Sequence, residues 1–304
     1  MHAASEARAV PSPGWEDGGM ADLITAAELR SLLDEGEDLR ILDVRYRLGF
    51  TDGRENYRAG HLPGAVFADL EGELAAHGAP ADGRHPLPSD DELEQAARRW
   101  GIRQGQAVVV YDDARSLPAS RAWWALRRAG VADVRVLDGG LGAWRAAGGA
   151  VEEGEVVAPS GDVVLARPGT ADVLDADQVA AWTGVLLDAR APERFRGETE
   201  PIDPVAGHIP GARNLPIADV LDTEGRFRAP AEIEAAFEAV GAGEEVPIAA
   251  YCGSGVTAAQ LALAGALIGR EVTVYPGSWS AWSNTPGCPV ERGPVPAEAD
   301  PLED

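Results

Sequence analysis

The chain repeats itself, and that repetition constrains its fold more than any other feature. Ile41-Leu42-Asp43-Val44-Arg45 recurs as Leu186-Leu187-Asp188-Ala189-Arg190, and Gly60-His61-Leu62-Pro63-Gly64-Ala65 recurs as Gly207-His208-Ile209-Pro210-Gly211-Ala212. Further on, Val109-Val110-Tyr111-Asp112 returns as Ala249-Ala250-Tyr251-Cys252, and the segment Asp138–Trp144 returns as Pro276–Trp282. Four collinear matches at a slowly drifting offset mean a duplicated unit of roughly 130 residues, a whole domain rather than one turn of a solenoid. The 304 residues hold two such units, each long enough for its own core.

Each half alternates short β-branched runs with helix-length patterns. Ile41–Val44, Val108–Tyr111 and Val134–Leu137 read as buried parallel strands, with a helix over Ala119–Gly130 closed by its glycine. Ile248–Tyr251 and Val272–Tyr275 are the counterparts, with Val256–Ile268 the helix between them. Strand–helix–strand units predict an α/β fold of two tandem domains, each a parallel sheet with helices on both faces. The expected organisation is a polar tail (1–19), a first domain (20–147), a Gly/Pro/Glu-rich linker (148–170), a second domain (171–295) and an acidic tail (296–304). Met20 directly follows the polar tail and is an alternative start to Met1.

A formal net charge of -24 leaves no basic surface for nucleic acid and repels anionic membranes. No apolar run is long enough to span a bilayer, and the N-terminus lacks the apolar core of a signal peptide. Two cysteines make neither a disulfide framework nor a cysteine zinc site, so a cytoplasmic protein without metal or cofactor is expected. An anionic substrate would need a local positive field that overrides the global charge.

Where the two copies differ, chemistry was kept or lost. After a central strand, the first half reads Tyr111-Asp112-Asp113 and the second Tyr251-Cys252-Gly253-Ser254-Gly255-Val256-Thr257. Ligands of open α/β sheets bind at the carboxyl ends of strands, where Cys252 falls, and a helix starts a few residues later. A helix N-terminus stabilises a thiolate through its macrodipole and its unpaired N–H groups. Gly253 and Gly255 let the backbone curl into an anion nest, and Ser254 and Thr257 add hydroxyl donors. Cys252 is therefore the candidate nucleophile.

The segment Cys252–Thr257 resembles the active-site loop of 3-mercaptopyruvate sulfurtransferases. The Asp-x-Arg, Gly-His-Ile-Pro-Gly-Ala and Gly-x-x-x-x-Trp signals resemble those of tandem-domain rhodaneses, over roughly residues 20 to 295. The resemblance implies a non-catalytic first domain, a site at the domain interface, and transfer through a cysteine persulfide to a small thiol, thioredoxin or cyanide. Thiosulfate-specific relatives carry basic residues after the cysteine. The neutral Gly253-Ser254 pair here suits 3-mercaptopyruvate better, with thiosulfate:cyanide transfer and a non-turnover persulfide carrier as alternatives. A phosphatase using a similar loop would need an arginine at position 258, which is alanine.

The resemblance also implies a serine–histidine–acid set, with Ser254 as the serine. The first half carries extra residues around Gly72–Pro88, which places the histidine at His85, with Glu71 or Asp69 behind it. Arg194 matches the family's substrate arginine, beside the loop residues Gly253, Gly255, Val256 and Thr257. The second arginine the family carries is missing: Glu200-Pro201-Ile202-Asp203 stands there, and Arg196, Arg45 or Arg84 is the expected replacement. His61 with His208, Asp43 with Asp188 and Arg45 with Arg190 occur in both halves and read as structural. Trp144 and Trp282 read as core, and Cys288 as a spectator thiol or a redox disulfide partner.

Overall fold

The computed structural model describes residues 22–169 and 172–294. The tails expected at 1–19 and 296–304 and the choice between Met1 and Met20 lie outside them. Leu23–Ile24 (β1), Leu39–Asp43 (β2), Val66–Phe67 (β3), Ala107–Tyr111 (β4) and Val134–Leu137 (β5) form one sheet in the order β1-β5-β4-β2-β3. Val185–Asp188 (β6), Arg213–Asn214 (β7), Ile248–Tyr251 (β8) and Val272–Val274 (β9) form the second, in the order β7-β6-β8-β9. All pairings between these strands are parallel. An isolated parallel bridge from Val173 to Val274 stands where β1 meets β5 in the other half.

Alternate strand residues enter different cores. Leu42, Val108, Val110 and Val136 pack on one face of the first sheet, and Ile41, Val109 and Leu137 on the other. Both faces are thus covered, as the uninterrupted apolar runs required. The Leu117–Arg128 helix links β4 to β5, and the Val256–Leu267 helix links β8 to β9. These two helices pack on each other and join the domains. The first starts and ends two residues earlier than its periodicity suggested. Gly130 lies beyond its end with φ +86°, its N–H bonded to Arg127 and that of Val131 to Leu126, a glycine cap.

The repeated motifs converge in each half. Arg45 forks onto Asp43 (2.6 Å) and donates to the Asn56 and Gly60 carbonyls, while the Tyr111 hydroxyl donates to Asp43 and accepts the Leu62 N–H. Arg190 forks onto Asp188 (2.6 Å) and donates to the Gly207 carbonyl, and the Tyr251 hydroxyl accepts the Ile209 N–H. His61 and His208 stack on Tyr57 and Phe195 and bond the carbonyls of those same residues through Nδ1. Their structural reading stands.

Within the stretch expected as a linker, residues 148–169 pack on the first domain. Trp144 donates to the Ala150 carbonyl and Trp282 to the Pro289 carbonyl. His61 bridges Glu152 and His208 bridges Glu291, so the repeat continues past its last tryptophan. Val163 and Leu165 are buried, and Glu155 pairs with Arg54 and Arg58, which straps the segment to the first domain. A backbone bridge needs no particular side chain, so sequence pattern did not reveal it.

A buried guanidinium left without its carboxylate is costly. Asp43→Ala, which removes the carboxylate that pairs with Arg45, should lower unfolding free energy by about 3–5 kcal/mol in urea titration; a change below about 1 kcal/mol would show that Arg45 needs no counter-charge there.

Candidate active site

Cys252 follows β8 and is almost enclosed, with 2% of its surface exposed. Its backbone is fixed by Ser278, a non-glycine residue held at φ +53°. That left-handed conformation costs roughly 1–3 kcal/mol. In return, the buried Ser278 hydroxyl accepts the Cys252 N–H (3.1 Å) and donates to the Tyr275 carbonyl (2.9 Å). Gly255, at φ +81°, turns the loop into the helix, and its N–H donates to the Cys252 sulfur (3.2 Å). A Cβ on Gly255 would meet the Pro276 carbonyl oxygen at 2.4 Å, so no other residue fits. Val256 opens the helix and is buried, whereas Thr257 is half-buried and its hydroxyl stands outside this network.

The first domain contributes its long loop. Ser280 of the second domain accepts the Arg84 N–H (3.0 Å) and anchors that loop. His85 is thereby buried with Nδ1 2.8 Å from Ser254 Oγ, so the expected serine–histidine pair is assembled across the domains. Behind His85 the structure corrects the expectation. The Tyr46 hydroxyl lies 3.1 Å from Nε2. Burial first, and then the Glu71 carboxylate, raise that hydroxyl to about 12. Glu71 thus acts on Tyr46 rather than touching the imidazole. Asp69 instead caps the short Leu70–Glu73 helix by accepting from Glu71 and Gly72. Tyr46 directly follows the repeated Asp-x-Arg, at a position the repeat does not include.

Two guanidinium groups converge over Gly253. The position a Cβ would take there is 3.1 Å from Arg84 Nη2 and 3.6 Å from Arg194 Nη1. A Cβ at 253 would press on Arg84 and touch Arg194, so the bare glycine leaves that space to cations supplied from elsewhere. Glu200 and Asp203, which stand in place of a second arginine, are buried and orient the two that are present. Arg194 pairs with Glu200 (2.7 Å) and Asp203 (3.4 Å), and Arg84 pairs with Asp203. Of the three expected replacements, Arg84 is the one that reaches the loop. Arg45 is occupied by Asp43, and Arg196 pairs with Glu198 at the surface.

These pieces and the duplicated sheets point one way. Rhodanese-like domain models match residues 25–147 and 170–285. The chain belongs to the rhodanese family. SseB of Mycobacterium tuberculosis, provisionally named a thiosulfate sulfurtransferase, is 49% identical over 89% of this chain and 97% of its own. A Pseudomonas aeruginosa protein provisionally named 3-mercaptopyruvate sulfurtransferase is 46% identical over 90% of this chain and 99% of its own. The crystal structure of SseA from Escherichia coli, described among 3-mercaptopyruvate sulfotransferases, superposes with a TM-score of 0.76 at 35% identity, covering 85% of this chain and 98% of that one.

The rhodanese loop of the first domain is already filled. Asp112 takes the place of Cys252, and its carboxylate accepts the N–H groups of Ala114 (2.7 Å), Ser116 (3.0 Å) and Ala119 (2.9 Å). Burial lifts Asp112 to about 6 while those three N–H groups pull it down. An anion covalently attached to its own loop leaves no room for a transferable one. Cys288 is free, like Cys252, and packs at the edge of the cluster around Trp282, in a different core from Cys252. Burial, then Asp177, raise its thiol. Among the described residues, no group of His, Cys, Asp and Glu is placed to hold a metal ion.

Burial, followed by the charges of Arg121 and Arg84, lowers His85 to about 4. The unfolded chain therefore takes up this proton at higher pH than the folded one. The stabilisation from keeping His85 neutral is complete above about pH 6.5 and is lost as pH falls toward 4. Proton NMR should place the His85 midpoint near 4. Urea titrations of wild type and His85→Gln should diverge in pH slope within that window; a midpoint near 6.5 would mean a solvated imidazole.

Proposed function

We propose that this chain is a sulfurtransferase that carries sulfane sulfur from 3-mercaptopyruvate to an acceptor through a Cys252 persulfide. The observation that carries the donor assignment is the 2.8 Å contact between Ser254 Oγ and His85 Nδ1. A thiosulfate donor releases sulfite, a stable anion that needs no proton. Mercaptopyruvate releases pyruvate as an enolate, which must be protonated at carbon, and a serine–histidine pair beside the nucleophile supplies that path.

In this reading, Arg84 and Arg194 hold the donor's carboxylate and keto oxygens by charge-assisted hydrogen bonds. The Cys252 thiolate attacks the donor sulfur. The carbon–sulfur bond breaks, its electron pair passes to carbon as the enolate, and the sulfur stays on Cys252. The proton of the donor thiol passes through Ser254 to His85 and returns to the enolate carbon. Tyr46, backed by Glu71, accepts from His85 Nε2 and so leaves Nδ1 free to take the serine proton. The outer sulfur of the persulfide rests against the N–H groups at the start of the Val256–Leu267 helix. An acceptor thiolate then attacks that sulfur and restores the Cys252 thiolate. A small thiol, thioredoxin or cyanide would serve, in a reducing compartment such as the cytoplasm. Among the described residues, no helix is long and apolar enough to cross a membrane.

Cys252→Ser should abolish transfer from every donor, with no persulfide on the 252 peptide by mass spectrometry; residual turnover would refute the mechanism. Ser254→Ala should slow pyruvate release from mercaptopyruvate on the order of 100-fold while leaving sulfite release from thiosulfate nearly unchanged. Equal loss with both donors would remove the proton-relay argument, and sulfite release without pyruvate release in wild type would make thiosulfate the donor. Arg84→Ala and Arg194→Ala should each raise the donor KM roughly 10- to 100-fold with a smaller change in kcat. An unchanged KM in either would take that arginine out of the donor site.

A further inference from the structure

Arg121 sits midway along the Leu117–Arg128 helix of the first domain and is 0% exposed. Its guanidinium donates to three backbone carbonyls, those of Leu74 (3.3 Å), His85 (3.1 Å) and, across the domain boundary, Gly255 (3.3 Å), and it lies over the Trp124 ring. It therefore holds both halves of the candidate site, the histidine loop and the cysteine loop, from behind. Among the described residues no carboxylate pairs with it. That is unusual, because a buried cation is stable only near a compensating negative charge.

The charges around Cys252 show where that compensation lies. Arg190 is matched by Asp188 and Glu200, Arg194 by Glu200 and Asp203, and Arg84 by Asp203. Arg128, the other charge that acts on Arg121, has Asp172. His85 is neutral, and Glu71 faces Tyr46. Four guanidinium groups surround the loop against three carboxylates. We infer that the Cys252 thiolate is the missing fourth negative charge, and that Arg121 is a positioning residue that holds Cys252 ionised, and later its persulfide, from the buried side of the loop. Burial pulls Arg121 down to about 10, and of its neighbours Cys252 acts in the opposite direction. The inference rests on Cys252 being the nucleophile but not on the identity of the donor.

The test reads the thiolate directly, without turnover. In a Cys288→Ser background, thiolate absorbance in the ultraviolet is followed against pH. Arg121→Gln, which can still donate to carbonyls but carries no charge, should move the midpoint up by about one pH unit or more. Arg121→Lys should stay within a few tenths of the parent. A folded Arg121→Gln with an unmoved midpoint, or an Arg121→Lys that moves as far, overturns the inference. Should Arg121→Gln not fold, the parent protein decides through salt. A buried cation is poorly screened, so raising salt to about 1 M should leave the midpoint in place. A midpoint that climbs with salt assigns the field to the solvent-facing Arg84 and Arg194 and overturns the role of Arg121. Absence of pyruvate formation with the thiolate shift intact would count against the donor assignment and not against Arg121.

Discussion

Each half of the molecule is organised around a buried carboxylate–guanidinium pair at the carboxyl edge of its sheet. Asp43–Arg45 and Asp188–Arg190 are both buried, and an unpaired charge would be costly in either place. The arginine spends its remaining donors on the carbonyls of the loop that leads into Gly-His-x-Pro-Gly-Ala. The tyrosine before the cysteine-position residue ties the neighbouring strand to the same turn. Strand order, loop path and the start of the reactive loop are thus fixed together, which explains why three separated motifs recur as a set.

Duplication of that frame allows one domain to act as scaffold. The first domain's own loop is closed by Asp112, whose carboxylate takes the N–H groups that a reacting anion would need. What it provides instead is delivered across the interface: Arg84 and His85 on the extended loop, Tyr46 behind them, and Arg121 beneath. The second domain contributes Cys252, Ser254 and Arg194. The packing of the Leu117–Arg128 and Val256–Leu267 helices against each other brings these contributions together.

A chain with net charge -24 would repel an anionic donor at long range. The site answers this locally. Buried Glu200 and Asp203 aim two arginines at the space above Gly253, and Arg121 leaves a surplus of positive charge under the thiol. Acidic residues that look wrong for an anion site in sequence are there to hold the cations in place.

The duplicated α/β fold, the candidate nucleophile Cys252 and the Asp112 that stands in its place were legible in sequence, because they rest on local periodicity and on a comparison the chain makes with itself. Ser254 was reachable through the resemblance of its loop, and His85 because an extra loop in one copy marks where the copies diverge. Their meeting, the choice of Arg84 over Arg45 and Arg196, the placement of Tyr46 between His85 and Glu71, and the solitary charge of Arg121 were decided only by tertiary structure. Each depends on which side chains two domains bring within a few ångströms, and a spacing along one chain does not encode a distance between two. Arg121 left one faint trace, a charge in the middle of an otherwise apolar helix face. The sequence around Cys252 marked it as the candidate nucleophile; the packing of the other domain against it determined which groups surround it.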